Sequence, residues 1–311
     1  MPQIPIPRFI RKQVLAQLPA PMPTKIAVER WLRGREECMR LDRSDAVIVS
    51  YEKSGRTWLR VLLSRFYQQR HDLPEDRLLQ YDKLHRLNAA VPVVTFTHDR
   101  HVNHYAGRAD HRHYDHKPLV LLVRDPRDVA VSLYFQWRHR VDVHNRRLDE
   151  MPMNDDTSLF EFVMRPESGM PAIIAFMNRW LVRGRALPGL VMYRYEDLRA
   201  DPEPRFLELL RTLGAAPTAE EVATTVAYAD FEQMRERERR GESTDGRLSA
   251  GDVDNPDSFK ARRAKVGGYR DYFDAEQLDA IDGVMHATLD PSFGYGGGEA
   301  GSPAATATAA A

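Results

Sequence analysis

The feature that most constrains this chain is the run from Ala46 to Phe66. Five β-prone residues, Ala46-Val47-Ile48-Val49-Ser50, lead into Tyr51-Glu52-Lys53-Ser54-Gly55-Arg56-Thr57-Trp58 and then into the helix-forming Leu59-Arg60-Val61-Leu62-Leu63-Ser64-Arg65-Phe66. Strand, tight glycine-bearing loop and helix make the local geometry that binds a phosphate. Unpaired N–H groups at the helix start point outward, and the helix dipole favours an anion there. Lys53 adds a cation, and Ser54 and Thr57 add hydroxyl donors. The order is not GxxxxGK[ST], because the lysine precedes the glycine and the first glycine is missing. A magnesium-bound nucleoside triphosphate is therefore not the first ligand this loop predicts.

The rest of the chain alternates in the same way. Short apolar runs at Ala46–Ser50, Val93–Thr97, Leu119–Val123 and Leu190–Tyr193 read as strands buried on both faces. Helices are expected at Thr57–Gln69, Arg127–Arg140, Pro171–Arg185, Glu203–Leu213, Ala219–Tyr228 and Ala275–Thr288. Such βα alternation predicts a doubly wound parallel sheet with ligands at the carboxyl ends of its strands.

Two strand ends carry further chemistry. Leu119–Val123 runs into Arg124-Asp125-Pro126-Arg127-Asp128-Val129-Ala130-Val131-Ser132. The strand delivers Arg124 to the ligand edge, Pro126 suits a first helical turn, and Ser132 follows about two turns on. An arginine with a hydroxyl makes a phosphomonoester clamp. His98 lies just past the end of the second strand, and its ordinary pKa near neutrality suits a general base. His101, His104, His111, His113 and His116 lie close by in sequence, and the spacing His98-x-x-His101-x-x-His104 raises a rival metal-site reading. The strand-end position favours His98 over these other histidines, and because solvated loop histidines are common no metal is expected.

The order Lys-Ser-Gly-x-Thr-Trp, together with Arg124 to Ser132, resembles the PAPS-dependent sulfotransferases, which use 3′-phosphoadenosine 5′-phosphosulfate (PAPS) and release adenosine 3′,5′-bisphosphate (PAP). The resemblance spans roughly Val47 to Phe273. It implies a P-loop-like, three-layer α/β/α domain with a central parallel sheet of about five strands. It also implies that Lys53, Ser54, Gly55, Arg56, Thr57 and Trp58 bind the donor, with Lys53 stabilising the leaving phosphate. Arg124 and Ser132 would hold the 3′-phosphate, and His98 would act as base. Trp58 and Phe231, in Ala229-Asp230-Phe231-Glu232-Gln233-Met234, would face the adenine, with Tyr195 of Arg194-Tyr195-Glu196-Asp197-Leu198 at its edge. The segment Phe259 to Arg270 is similar to the family's last signature and assigns Arg262, Arg263 and Ala264 to the 3′-phosphate. This chain departs from the pattern at Arg56, usually Thr; at Ala229, usually Thr; and at Ala264, usually Gly. It also lacks the Thr-Val pair of one known dimer contact after Arg270.

With 45 basic and 45 acidic residues among 311, global charge offers no argument for a nucleic-acid partner, and none is expected. Cys38 is the only cysteine, so no internal disulfide or cysteine-based zinc site can form, and a cytoplasmic setting is expected. Residues 1–44 read as an N-terminal helical extension of two short helices with a proline-rich break. Its basic amphipathic character suits either packing on the main domain or contact with a membrane surface. Residues 45–293 would form the sulfotransferase domain, and 294–311 a disordered Gly/Ala-rich tail. A mobile loop is expected over Gly241–Asp257. The acceptor, a small-molecule, lipid or glycan hydroxyl or amine, would meet loops from 70–92, 134–170 and 241–258. A P-loop-like kinase or a non-catalytic adenosine-bisphosphate or nucleic-acid binding module are the competing classes.

Overall fold

The computed structural model describes residues 8–107, 111–139, 156–240 and 265–295. At its centre lie four strands, β1 (Ala46–Ser50), β2 (Val94–Thr97), β3 (Leu119–Val123) and β4 (Leu190–Arg194), all parallel, in the order β2-β1-β3-β4. Each expected strand is present to within one residue at either end. The sheet numbers four strands among the described residues, against the five or so that the resemblance implied.

The strand period of two sorts the core into two layers. Val47, Val49, Leu119, Leu121 and Val123 point to one face, where they meet α5 (Pro126–His139), α7 (Met170–Gly184) and α12 (Ala275–Thr288) through Val129, Ile173, Trp180 and Met285. Ala46, Ile48, Val120 and Leu122 point to the other, against α3 (Arg56–His71), α9 (Pro202–Thr212) and α10 (Ala219–Tyr228) through Leu62, Phe66, Phe206 and Val222. Every residue of β1 and β3 is buried, which explains their uninterrupted apolar runs. The result is a three-layer α/β/α sandwich.

At the amino end, α1 (Arg8–Gln17) and α2 (Met22–Asp42) are separated by Leu18-Pro19-Ala20-Pro21, whose prolines cannot continue the first helix. Pro21 precedes α2 and Pro23 falls in its first turn, positions where the missing N–H costs nothing. At 21 residues α2 is longer than the short helix expected. It runs into β1 through Arg43–Asp45, and its Cys38 and Leu41 lie in the same core cluster as Val47 and Val49. Gly34 explains the close packing of α2 on α4 (Val102–Tyr105), because a Cβ there would stand 2.2 Å from the His101 carbonyl oxygen.

Among the described residues the other α-helices are α6 (Leu159–Met164), α8 (Tyr195–Ala200) and α11 (Phe231–Arg240). The loop expected over Gly241–Asp257 lies outside the described residues, as does the expected tail apart from Gly294 and Tyr295. Tyr295 is buried, and its hydroxyl donates to Glu196 Oε2 at 2.7 Å.

Candidate active site

The chain leaves β1 to one side for β2, then crosses back to the other side for β3. That reversal opens a crevice at the carboxyl ends of β1 and β3, the place where a doubly wound sheet binds ligands. The loops that follow these two strands are the two phosphate-binding candidates.

In the first loop Lys53 adopts a left-handed φ of 67° and Gly55 a φ of 93°. Gly55 precedes α3, whose first turn has no side-chain cap, and its carbonyl accepts the Leu59 N–H at 3.1 Å. Glycine is required here twice over. The backbone is left-handed, and a Cβ would stand 2.3 Å from Cδ2 of Tyr195. Gly55→Ala is expected to destabilise the protein by about 2–4 kcal/mol, combining left-handed strain with overpacking. Denaturant unfolding checks this, and a wild-type midpoint would remove the argument.

Tyr195, which opens α8 after β4, is buried. Its ring lies edge-on to Trp58, with centroids 5.8 Å apart, and 4.6 Å beneath the Arg124 guanidinium. One side chain thus joins the first loop to the second. Trp58 Nε1 donates to the Ala229 carbonyl at 2.9 Å, which places the segment leading to Phe231 beside Trp58. The Arg199 guanidinium sits 5.3 Å from the Trp58 ring, a contact that sequence reading missed. Phe231, partly buried, starts α11.

Arg124 stands at the end of β3. Its Nη1 donates to the Lys53 carbonyl at 3.3 Å and its Nη2 to the Lys265 carbonyl at 3.4 Å, while Asp128 Oδ2 lies 3.6 Å away. Asp128 accepts the N–H groups of Gly267 at 2.8 Å and Tyr269 at 2.9 Å. This carboxylate therefore clamps the turn after Lys265 onto the start of α5, another role missed from sequence. Arg262, Arg263 and Ala264 lie outside the described residues. Ser132 is partly exposed on α5, about two turns from its start. Glu196 braces the second loop from behind, accepting the Asp125 N–H at 3.0 Å. Burial raises its pKa above the usual carboxylate value.

His98 follows β2 directly. Its Nδ1 lies 2.7 Å from the Ser50 carbonyl oxygen, which can only accept, so Nδ1 carries the proton and Nε2 is left with a lone pair. Burial pulls the pKa of this ring well below its ordinary value. The Arg56, Arg100 and Arg60 guanidiniums act in the same direction, and the Ser50 contact opposes them. Neutral His98 is the form a general base needs at neutral pH.

The backbone on either side of His98 is held in place. Thr97 Oγ1 donates to Glu37 of α2 and accepts the Asp99 N–H at 2.7 Å. Asp99, with a left-handed φ of 52°, accepts the Tyr114 hydroxyl at 2.7 Å and pairs with Arg183 at 2.6 Å. Burial is the main reason that Glu37 is raised to about 6, with the Arg56 guanidinium among the groups that oppose the shift. Glu37→Gln is expected to lower kcat about tenfold through misplacement of His98, with donor affinity nearly unchanged. Equal losses in both would contradict this positioning role.

The rival metal reading finds no geometric support. Among the described residues no three His, Cys, Asp or Glu side chains are placed to share a metal ion. The His101 and His104 rings stand 6.2 Å apart, and burial with nearby arginines lowers His101 to about 3.

The sulfotransferase domain family matches residues 43–293. The chain is 23% identical to the flavonol 3-sulfotransferase of Flaveria bidentis, covering 84% of this chain and 88% of that protein. It is 26% identical to a glycolipid sulfotransferase of Mycobacterium bovis, covering 78% and 85%. Its fold is similar to mouse sulfotransferase SULT7A1 complexed with PAP, with a TM-score of 0.53, 18% identity and coverage of 81% and 89%. It is also similar to retinol dehydratase in complex with retinol and PAP, with a TM-score of 0.55, 19% identity and coverage of 83% and 86%. The family match covers most of the chain and contains both anchor loops and His98, so the chain belongs to the PAPS-dependent sulfotransferase family.

Proposed function

We propose that this sulfotransferase moves the sulfuryl group of PAPS to a hydroxyl of a small-molecule, lipid or glycan acceptor, with His98 as general base. The observation that carries this reading is the contact of Arg124 with the Lys53 carbonyl, which joins the two phosphate-binding loops at one crevice. The residues present suit the donor. Arg124 Nε is buried without a hydrogen-bond partner, the start of α3 is uncapped, and Lys53 lies in the loop between them. An anion with two separated phosphate groups would satisfy both loops.

PAPS supplies an activated sulfuryl group on a phosphate leaving group. His98 Nε2 takes the proton from the acceptor oxygen as that oxygen forms its bond to sulfur. The bond between sulfur and the bridging phosphate oxygen breaks, and PAP leaves. Lys53 and the first N–H groups of α3 stabilise the charge that grows on the bridging oxygen, an interaction stronger in the transition state than before it. Arg124 and Ser132 hold the 3′-phosphate, joined in this reading by Arg262, Arg263 and the Ala264 N–H. Trp58, Phe231 and Tyr195 frame the adenine. Fixing the far end of the donor aligns sulfur with the acceptor. The glycolipid activity named for the mycobacterial relative supports a lipid or glycan acceptor.

Calorimetry without magnesium tests the donor site. PAP is expected to bind at micromolar concentration or tighter, with ATP and AMP much weaker, and activity should survive a chelator. A preference for ATP with a magnesium requirement would point to the kinase class instead.

A further inference from the structure

The helices that precede the family match carry an unusual surface. Among the described residues, five of the nine exposed large apolar side chains are Val14, Leu18, Met22, Val28 and Trp31, all on α1, α2 or the turn between them. A sixth, Tyr105, packs edge-on against Trp31 with ring centroids 5.3 Å apart. Ala27, Val28, Arg30, Trp31 and His104 line a surface depression of about 440 Å³.

Charge separates this surface from the rest of the molecule. Residues 1–42 hold eight Lys and Arg against four Asp and Glu, a net of +4. The whole chain balances at 45 and 45, so the remainder is −4. All four carboxylates have partners within the protein, Glu29 with Arg11 and Arg33, Glu36 with Arg11 and Arg40, Glu37 with Thr97 and Asp42 with His113, which leaves the positive excess to Arg8, Lys12, Lys25, Arg30 and Arg35. A Trp–Tyr pair with aliphatic neighbours on a basic helical layer is suited to the boundary between headgroups and acyl chains. A second copy of the chain suits it less, because an isologous contact would bring two +4 surfaces together.

We propose that α1 and α2 form a docking surface for an anionic lipid layer, with Trp31, Val28 and Tyr105 at the acyl boundary and the basic residues on the headgroups. The same helix borders the catalytic strand end, since Gly34 packs on the His101 carbonyl and Glu37 accepts from Thr97 beside His98. Docking would therefore bring lipid-borne hydroxyl groups to the acceptor side of the site. That last step rests on the proposed sulfuryl transfer; the docking itself does not.

The test is co-sedimentation of the full chain with vesicles of phosphatidylcholine alone or mixed with phosphatidylglycerol. Binding is expected only to the anionic vesicles and should weaken as salt rises. Lys25→Glu with Arg30→Glu should reduce it by at least about tenfold. Trp31→Ala should also weaken it and abolish any vesicle-induced blue shift in fluorescence, because Trp137 and Trp180 are buried and Trp58 lies in the donor site. PAP affinity, measured on every variant, reports whether the fold and the donor site are intact. Absence of binding to anionic vesicles, equal binding to neutral ones, or full binding by both variants would overturn the proposal. So would a dimer that dissociates on Trp31→Ala. Loss of PAP binding in the wild-type chain would count against the donor reading and leave the vesicle result standing.

Discussion

His98→Ala is expected to lower kcat by about 10²–10⁴, the usual contribution of a positioned general base, while PAP affinity stays nearly intact. The Nδ1 proton is committed to the Ser50 carbonyl, so only Nε2 can accept the acceptor proton. The pH profile separates this role from simple packing. Burial and the surrounding arginines pull His98 well below the ordinary histidine value. The base works only when unprotonated, so kcat/KM should stay flat through neutrality and fall only when pH drops through that lowered pKa. An acid limb at the ordinary value near 6.5 would contradict this, as would a wild-type profile retained in His98→Ala. A collapse of PAP affinity in His98→Ala would instead assign the residue to donor binding. The lost Ser50 contact should cost about 1–3 kcal/mol in stability, measured separately by unfolding.

Arg124→Ala is expected to weaken PAP binding by about a hundredfold or more, since hydrogen bonds to charged groups contribute roughly 1.5–3 kcal/mol each. This guanidinium also faces Asp128 and the Tyr195 ring, so unfolding measured on the same variant separates lost packing from lost phosphate binding. Its two backbone contacts, at 3.3 and 3.4 Å, are long, and its Nε has no hydrogen-bond partner. What it offers is a planar fork of donors beside Lys53, suited to a phosphate. Arg124→Lys should recover only part of the loss, because a point charge lacks the planar pair of donors. Titration calorimetry checks both variants, and unchanged PAP affinity in Arg124→Ala would remove the 3′-phosphate role.

Among the described residues reciprocal caps mark three helix starts, of which the one at Ser158 and Glu161, before the short helix Leu159–Met164, was not expected from the sequence. Thr218 with Glu221 and Asp274 with Gln277 form reciprocal caps, and the helices after them begin at Ala219 and Ala275, as expected. The polar helix Phe231–Arg240 escaped notice because Glu and Arg dominate it and leave little apolar stripe to read. Tyr195–Ala200 escaped because it is short and follows a strand without a turn signal.

By itself the sequence determined the alternating strands and helices, the two anchor loops and His98 at a strand end. These depend on side-chain period, turn chemistry and motif order, all of which are local along the chain. Only the tertiary structure decided which distant groups meet. Glu37 reaches Thr97 across 60 positions, Asp128 holds Gly267 and Tyr269, and Tyr195 fills the space that Gly55 leaves open. It also decided the tautomer of His98, through a carbonyl on the neighbouring strand. Such contacts follow from how helices pack on a twisted sheet, and no spacing along the chain encodes them.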